Sequence, residues 1–293
     1  MSNEIRLRGF FLIICATFLW GCSAILAKYL ISKNFEPLII VQMRVSFSAV
    51  IIFLYLYFFD KVKLKIEASD IKLFAFVGVC GIAGSNFFYY YSFKYISASL
   101  AILIQYTAPI FVVIYALFFH NEKLTSRKII SLFLSLFGIF LAVEAYRPET
   151  ITANLTGVLY VTVAAISFAI FNIGSKKLLN KYNSVTVLFY SLFFASIFWL
   201  IVNNPIEILN KNYSTFHWQM YFLIAIFSIL LPYGAYTFGL KDVSTTEAVI
   251  TSTAEPIFTI LLEFIILGNL LGPLQIVGGV VVLVAILILQ LEK

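Results

Sequence analysis

Residues 96–119 read ISASLAILIQYTAPIFVVIYALFF. No charge interrupts the run, and it is long enough to cross a hydrocarbon core about 30 Å thick, which takes roughly 20 residues of helix. Near its middle stand Gln105, Tyr106 and Thr107, followed by Pro109. A second run, residues 244–267, reads STTEAVITSTAEPIFTILLEFIIL and has the same arrangement around Pro256. Pro109-Ile110-Phe111 overlies Pro256-Ile257-Phe258 at a shift of 147 positions (109 to 256). The same shift, without a gap, lays Tyr89 on Tyr236, Lys94 on Lys241, Ser97 on Ser244 and Ala101 on Ala248.

The rest of the chain has the same character. It has 293 residues, 62% hydrophobic and 12% charged, with a mean hydropathy of +1.00. A soluble domain carries about 25% charged residues. Apolar runs at 10–31, 37–59, 70–92, 96–119, 126–146, 155–178, 184–203, 218–239, 244–267 and 272–291 predict ten transmembrane helices joined by short loops. The longest connection runs from Asn204 to His217. The expected fold is therefore an all-α integral membrane protein. It divides into two five-helix repeats, residues 1–147 and 148–293. Five is odd, so the second repeat is inverted relative to the first, an architecture that recurs in secondary transporters with substrate at the midplane.

The net charge of +6 belongs to loop lysines and arginines and gives no reason to expect nucleic acid. With the N-terminus in the cytoplasm, fourteen Lys and Arg fall in cytoplasmic loops and five outside, and Arg44 lies within a span. This bias orients the chain with both termini cytoplasmic, in the inner membrane of a cell. The first apolar run is too long for a signal-peptide core, and the bulky Trp20 before Gly21-Cys22 argues against a lipoprotein cleavage site, so helix one is expected to be retained. Cys15, Cys22 and Cys80 lie in apolar runs as small packing residues. His120 and His217 sit at helix ends, so neither a metal nor a cofactor is expected. Gly78, Gly81, Gly84, Gly278 and Gly279 read as close-packing positions between helices.

Candidate chemistry gathers at the two prolines. Each removes a backbone donor and crowds the carbonyl four residues earlier, those of Gln105 and Ser252, so Pro109 and Pro256 predict helix kinks. Freed backbone groups at membrane depth are tolerated beside a cavity. Gln105, Tyr106 and Ser252 are accordingly candidate substrate-binding residues. Glu255 is a carboxyl group near mid-membrane, where ionisable residues are costly and mark function. It is a candidate both for proton coupling and for contacting a substrate ammonium group, with Arg44 as its expected structural partner. Glu247 and Glu263 read as edge residues. Asn86 and Tyr90 in helix three, Tyr233 and Tyr236 in helix eight, Trp20 in helix one and Asn172 in helix six complete the expected lining, a flat apolar wall with polar tips.

Several of these segments resemble the drug/metabolite transporter superfamily, in particular its EamA-type ten-helix members. Leu19-Trp20-Gly21-Cys22-Ser23-Ala24-Ile25-Leu26-Ala27-Lys28 is similar to that family's opening stretch, and Arg44 matches a common arginine. Tyr106 to Phe111, running on to Glu122, and Ala254 to Phe258, running on to Leu267-Gly268-Asn269, resemble its fourth and ninth helices. Asn269 departs from the glutamate usual there. The resemblance implies a secondary transporter of small organic metabolites, amino acids or related amphipathic compounds, often an exporter and sometimes an importer, without ATP hydrolysis; the inverted halves imply alternating access about a central pocket. No G-x-x-x-x-G-K-[ST] phosphate loop is present. A channel and a non-transporting membrane scaffold are the alternatives. An intramembrane enzyme is a weaker one, since no Asp lies mid-span and the histidines are peripheral.

Overall fold

The computed structural model describes residues 3–120, 125–150, 154–268 and 270–291. Glu122 and Asn269, which carried part of the resemblance, lie outside the described residues. Ten long helices follow one another: α1 (Asn3–Ser32), α2 (Pro37–Phe59), α3 (Ala68–Ser92), α4 (Ala98–Phe119), α5 (Ser126–Ala142), α6 (Leu155–Leu179), α7 (Ser184–Val202), α8 (Thr215–Asp242), α9 (Thr245–Ile266) and α10 (Pro273–Gln290). Among the described residues there is no strand, and nine of these helices are long and apolar enough to cross a membrane. The other, α5, has 17 residues, at the lower end of the length that spans a hydrocarbon core.

Most expected boundaries hold to within a few residues, and the departures have local causes. Helix α1 begins at Asn3 rather than at residue 10, because Arg6 and Arg8 find partners on other helices. Helix α5 stops at Ala142 rather than 146, where Glu144 turns the chain with φ 55°. The Asn204–His217 connection holds a short helix, Pro205–Asn210, started by proline and capped by Asn204. Ser97 and Ser244, partners at the 147-residue shift, both cap the helices that follow them.

Packing joins the first half of the chain to the second. Helix α1 lies against α8 and α9, α2 against α7 and α8, α3 against α6 and α7, α4 against α6 and α9, and α5 against α10. Exchanging each helix with the one five places along maps these pairs onto themselves. The main core is shared by residues of both halves, from Phe10, Val45 and Phe74 to Phe171, Trp199 and Tyr236.

Glycine allows the closest approaches. A Cβ on Gly278 would stand 2.5 Å from the Gly138 carbonyl oxygen and 2.6 Å from the Ala142 nitrogen, both backbone atoms that cannot step aside. Gly78 is wedged in the same way against the Ser191 carbonyl at 2.5 Å. Between membrane helices close packing supplies much of the association energy, because lipid tails are as apolar as the side chains. Gly278→Ala is therefore expected to lower the thermal midpoint of the detergent-solubilised protein, at a cost of about 1–3 kcal/mol for overpacking. Gly279→Ala is the control. Its Cβ would meet only the Ile257 side chain, at 3.2 Å, and an equal loss in both variants would contradict the backbone-contact argument.

Candidate functional site

Helices α4 and α9 are interrupted in their middles. In α4 an α-helical segment ends at Gln105, Tyr106 and Thr107 form a turn, and a new segment starts at Ala108 with Pro109 in its first turn. In α9 the first segment ends at Thr251, Ser252–Ala254 form a 3₁₀ turn, and the second begins at Glu255 with Pro256 beside it. The interruptions fall at the expected kinks, each proline standing in the first turn of the following segment, where its missing N–H costs least. Hydroxyl groups satisfy backbone carbonyls next to the breaks. Thr107 donates to Ile104 at 2.6 Å, Ser252 to Val249 at 2.7 Å and Thr253 to Ile250 at 2.6 Å. Helices α3 and α8 carry π-helical turns, Val77–Ala83 and Ile226–Leu230, at overlapping positions of the two halves. Such turns are frequent at functional sites.

The breaks border a cavity of about 440 Å³. Eight of the ten residues expected to bind substrate line it: Trp20, Asn86, Tyr90, Gln105, Tyr106, Tyr233, Ser252 and Glu255, together with Pro109 and Pro256. The other two, Asn172 and Tyr236, do not. Both are fully buried, and the Tyr236 hydroxyl donates to Asn172 Oδ1 at 2.5 Å. Tyr236 supports the wall from behind, its ring 5.2 Å from that of Trp20, which in turn lies 5.1 Å from Tyr233. At the 147-residue shift it is the partner tyrosine, Tyr89, that faces the cavity.

Glu255 is partly exposed, and what it is exposed to is the cavity it lines. It occupies the first turn of the second α9 segment, where the positive end of the helix dipole faces a carboxylate. Its polar neighbours come from other helices: the Tyr106 hydroxyl of α4 on one side and the Arg44 guanidinium of α2 acting through its charge. The expected ion pair with Arg44 is not formed. Arg44 instead donates through Nη2 to Asn86 Oδ1, and its guanidinium lies 5.8 Å from the centre of the Tyr90 ring. Asn86 is held in turn by donating to the Ile82 carbonyl at 2.8 Å. Gln105 donates to Ser85 at 3.3 Å, while its own Oε1, like Arg44 Nε and Ser228 Oγ, is buried without a partner.

Sequence reading missed Ser85, Tyr89, Ser228, Glu263 and Gln275 as lining residues. Ser85 and Tyr89 were legible, because 82, 85, 86, 89 and 90 follow the spacing of one helix face. Ser228, Glu263 and Gln275 gave no such signal.

The cavity is open toward one end of the bundle. Its lining climbs through Ala27 at the end of α1, Ser99 at the start of α4, Glu144 beyond α5 and Gln275 at the start of α10. Partly exposed pairs stand at that end, Lys28–Glu263 and Arg147–Glu144 at 2.9 Å each and Lys211–Glu36, and such pairs contribute at most about 1 kcal/mol each. The opposite end is closed by charge. Arg6 meets Glu247 at 2.6 Å and donates to the Leu289 and Gln290 carbonyls. Arg8 meets Asp242 at 2.7 Å. Lys176 donates to the carbonyls of Leu240, Lys241 and Val243 at 2.6–3.0 Å. Glu247, expected at the edge of its span, lies there in the first turn of α9, where it is buried and also completes a capping box with Ser244.

The sequence model of the EamA-like transporter family matches the chain twice, at residues 7–144 and 155–291. The chain belongs to that family. It is a multi-pass membrane protein of a transporter family, built on that family's helical fold. Among curated relatives it is 22% identical to the uncharacterized transporter YyaM of Bacillus subtilis, over 98% of this chain and 93% of that one. It is 25% identical to an uncharacterized transporter of Archaeoglobus fulgidus, over 94% and 95% of the two chains. It is 23% identical to the riboflavin transporter ImpX of Fusobacterium nucleatum, over 98% of both. A solved crystal structure superposes with a TM-score of 0.78 at 15% identity, covering 98% of this chain and 96% of that one. That likeness concerns the fold.

Proposed function

We propose that this EamA-like protein is a secondary transporter of small amphipathic organic solutes, amino acids and their relatives foremost. It works by alternating access between two inverted five-helix repeats, residues 1–147 and 148–293. The single observation that carries the reading is the cavity bounded by the two broken helices, with Glu255 and a wall of Trp20, Tyr90, Tyr106 and Tyr233 inside it. A cavity of that size suits a metabolite, and its tyrosine hydroxyls hydrogen-bond polar groups while the rings cover apolar ones. The double family match and the self-exchanging helix pairs support the repeats.

The charge bias of the loops supports an N-terminus in the cytoplasm of a cell membrane. In that orientation the cavity faces outward and the charged closure lies at the cytoplasmic end. An exporter passes through this state when it releases its cargo. Glu255 serves as the proton site, so that the proton gradient drives transport. Purified protein in proteoliposomes is expected to show saturable flux of one class among radiolabelled amino acids and related metabolites. Flux that never saturates would identify a channel, and no protein-dependent flux of any compound would overturn the transport reading.

A further inference from the structure

We infer that Arg44 is a substrate-binding residue and that the substrate carries an anionic group, a carboxylate foremost, which the guanidinium pairs with. This rests on the transport reading and narrows its substrate class. Arg44 sits in α2 and lines the cavity, yet it is only 9% exposed. A guanidinium stays charged under all ordinary conditions, and a buried charge without a counter-ion is strongly destabilising. Charged groups lining the cavity are few. Glu263 is paired with Lys28 and Glu144 with Arg147. Glu255 acts on Arg44 through charge but stands beyond ion-pair distance, with the Tyr106 hydroxyl beside it.

What Arg44 touches is neutral. Asn86 Oδ1 accepts from one terminal nitrogen, and Tyr90 offers its ring. These contacts fix the direction of the guanidinium without neutralising it, and Nε remains without a partner. Asn86 is itself anchored to the Ile82 carbonyl, so the head group is held before any ligand arrives. A planar fork with free donors matches the two oxygens of a carboxylate. The aromatic wall of Trp20, Tyr89 and Tyr233 flanks the rest of the molecule, while Glu255 remains available for the proton.

The test uses the full-length protein in detergent and pairs of solutes that differ only in charge: tryptophan with tryptophanamide, phenylalanine with phenylalaninamide, benzoate with benzamide. The expected result is that an acid raises the melting temperature and its amide does not. Arg44→Gln is expected to lose that response, with apparent affinity falling roughly 10- to 100-fold. Asn86→Asp guards against a variant that merely misfolds. It places a resident carboxylate against Arg44, at the loss of the bond that Asn86 donates to Ile82, so the response to acids is expected to disappear in a protein that still melts cooperatively. Amides that stabilise as well as acids would overturn the proposal. So would a panel in which no acid stabilises, or a folded Asn86→Asp protein that still responds to acids. Saturable flux of a neutral solute, unaffected by Arg44→Gln, would overturn it while leaving the transport reading intact.

Discussion

In Glu255→Gln, an imposed pH gradient is expected to drive no solute accumulation, while flux down the solute's own gradient persists. One proton moved through one pH unit supplies about 1.4 kcal/mol, enough for roughly tenfold accumulation. The variant should lose that tenfold effect entirely. Glutamine has nearly the same shape and still accepts a hydrogen bond from Tyr106, so the cavity survives the change. Only the exchangeable proton is lost. The groups that bear on Glu255 come from α2, α3, α4 and α8: Arg44, Tyr89, Tyr106 and Tyr233. A carboxyl group that lines the cavity is placed to take up and release a proton through it. The measurement is uptake into proteoliposomes with and without the gradient, parent beside variant. An unchanged response in Glu255→Gln would remove the coupling role and leave the transporter without this driver.

The second large effect is expected at the closed end. Arg6→Ala strips Glu247 of its counter-ion and frees the Leu289 and Gln290 carbonyls. Glu247 is 6% exposed, so an uncompensated charge is left buried, a loss of about 3–5 kcal/mol. That loss falls on the conformation in which this end is shut. The pairs at the opposite end, Lys28–Glu263, Arg147–Glu144 and Lys211–Glu36, are all more exposed than Glu247 and set less against it. The equilibrium should therefore move toward the state that opens at the Arg6 end, in proportion to the difference between the two closures. A single cysteine introduced at Thr259, a partly exposed residue of the cavity lining, in a background lacking Cys15, Cys22 and Cys80, reports the change. Its labelling by a membrane-impermeant thiol reagent should fall from the Lys28 side and rise from the Arg6 side when Arg6→Ala is added. Labelling that keeps the parent's sidedness would mean that the Arg6–Glu247 contact stabilises the fold without controlling access. Loss of folded protein is a distinct outcome, read from the thermal midpoint, and Glu247→Gln with Arg6 retained then gives the milder version of the same test.

At the start of α3 a further charged cluster ties the halves together. Lys181, between α6 and α7, meets Glu67 at 2.5 Å and Asp70 at 2.7 Å at the start of α3. These two carboxylates hold the Lys181 ammonium more firmly protonated than a free lysine. Tyr182 donates to Asp70 at 2.5 Å, and Thr186 and Tyr190 donate to the carbonyls of Lys63 and Leu64. The α2–α3 connection is thereby fastened to α7.

Local features of the chain determined a good deal by themselves. Long apolar runs specify membrane helices because a bilayer leaves few other ways to satisfy the backbone. The matched Pro-Ile-Phe segments located the two breaks, since proline acts on its own helix whatever surrounds it. Glu255 stood out because a carboxyl group at that depth has a cost that only function or a partner offsets. Other features were decided in three dimensions. Lipid is as apolar as a neighbouring helix, so an apolar face does not by itself say whether it meets lipid or the rest of the bundle. Only the packing shows that Tyr236 is a buried support bonded to Asn172, while Tyr89, at the matching position of the first half, lines the cavity. Charge pairing is likewise a matter of distance across helices. Arg44 turned to Asn86 instead of Glu255, and Glu247 left the surface to meet an arginine 241 positions away in the chain. The sequence names the charged groups, and only the packing of one half against the other brings each to its partner.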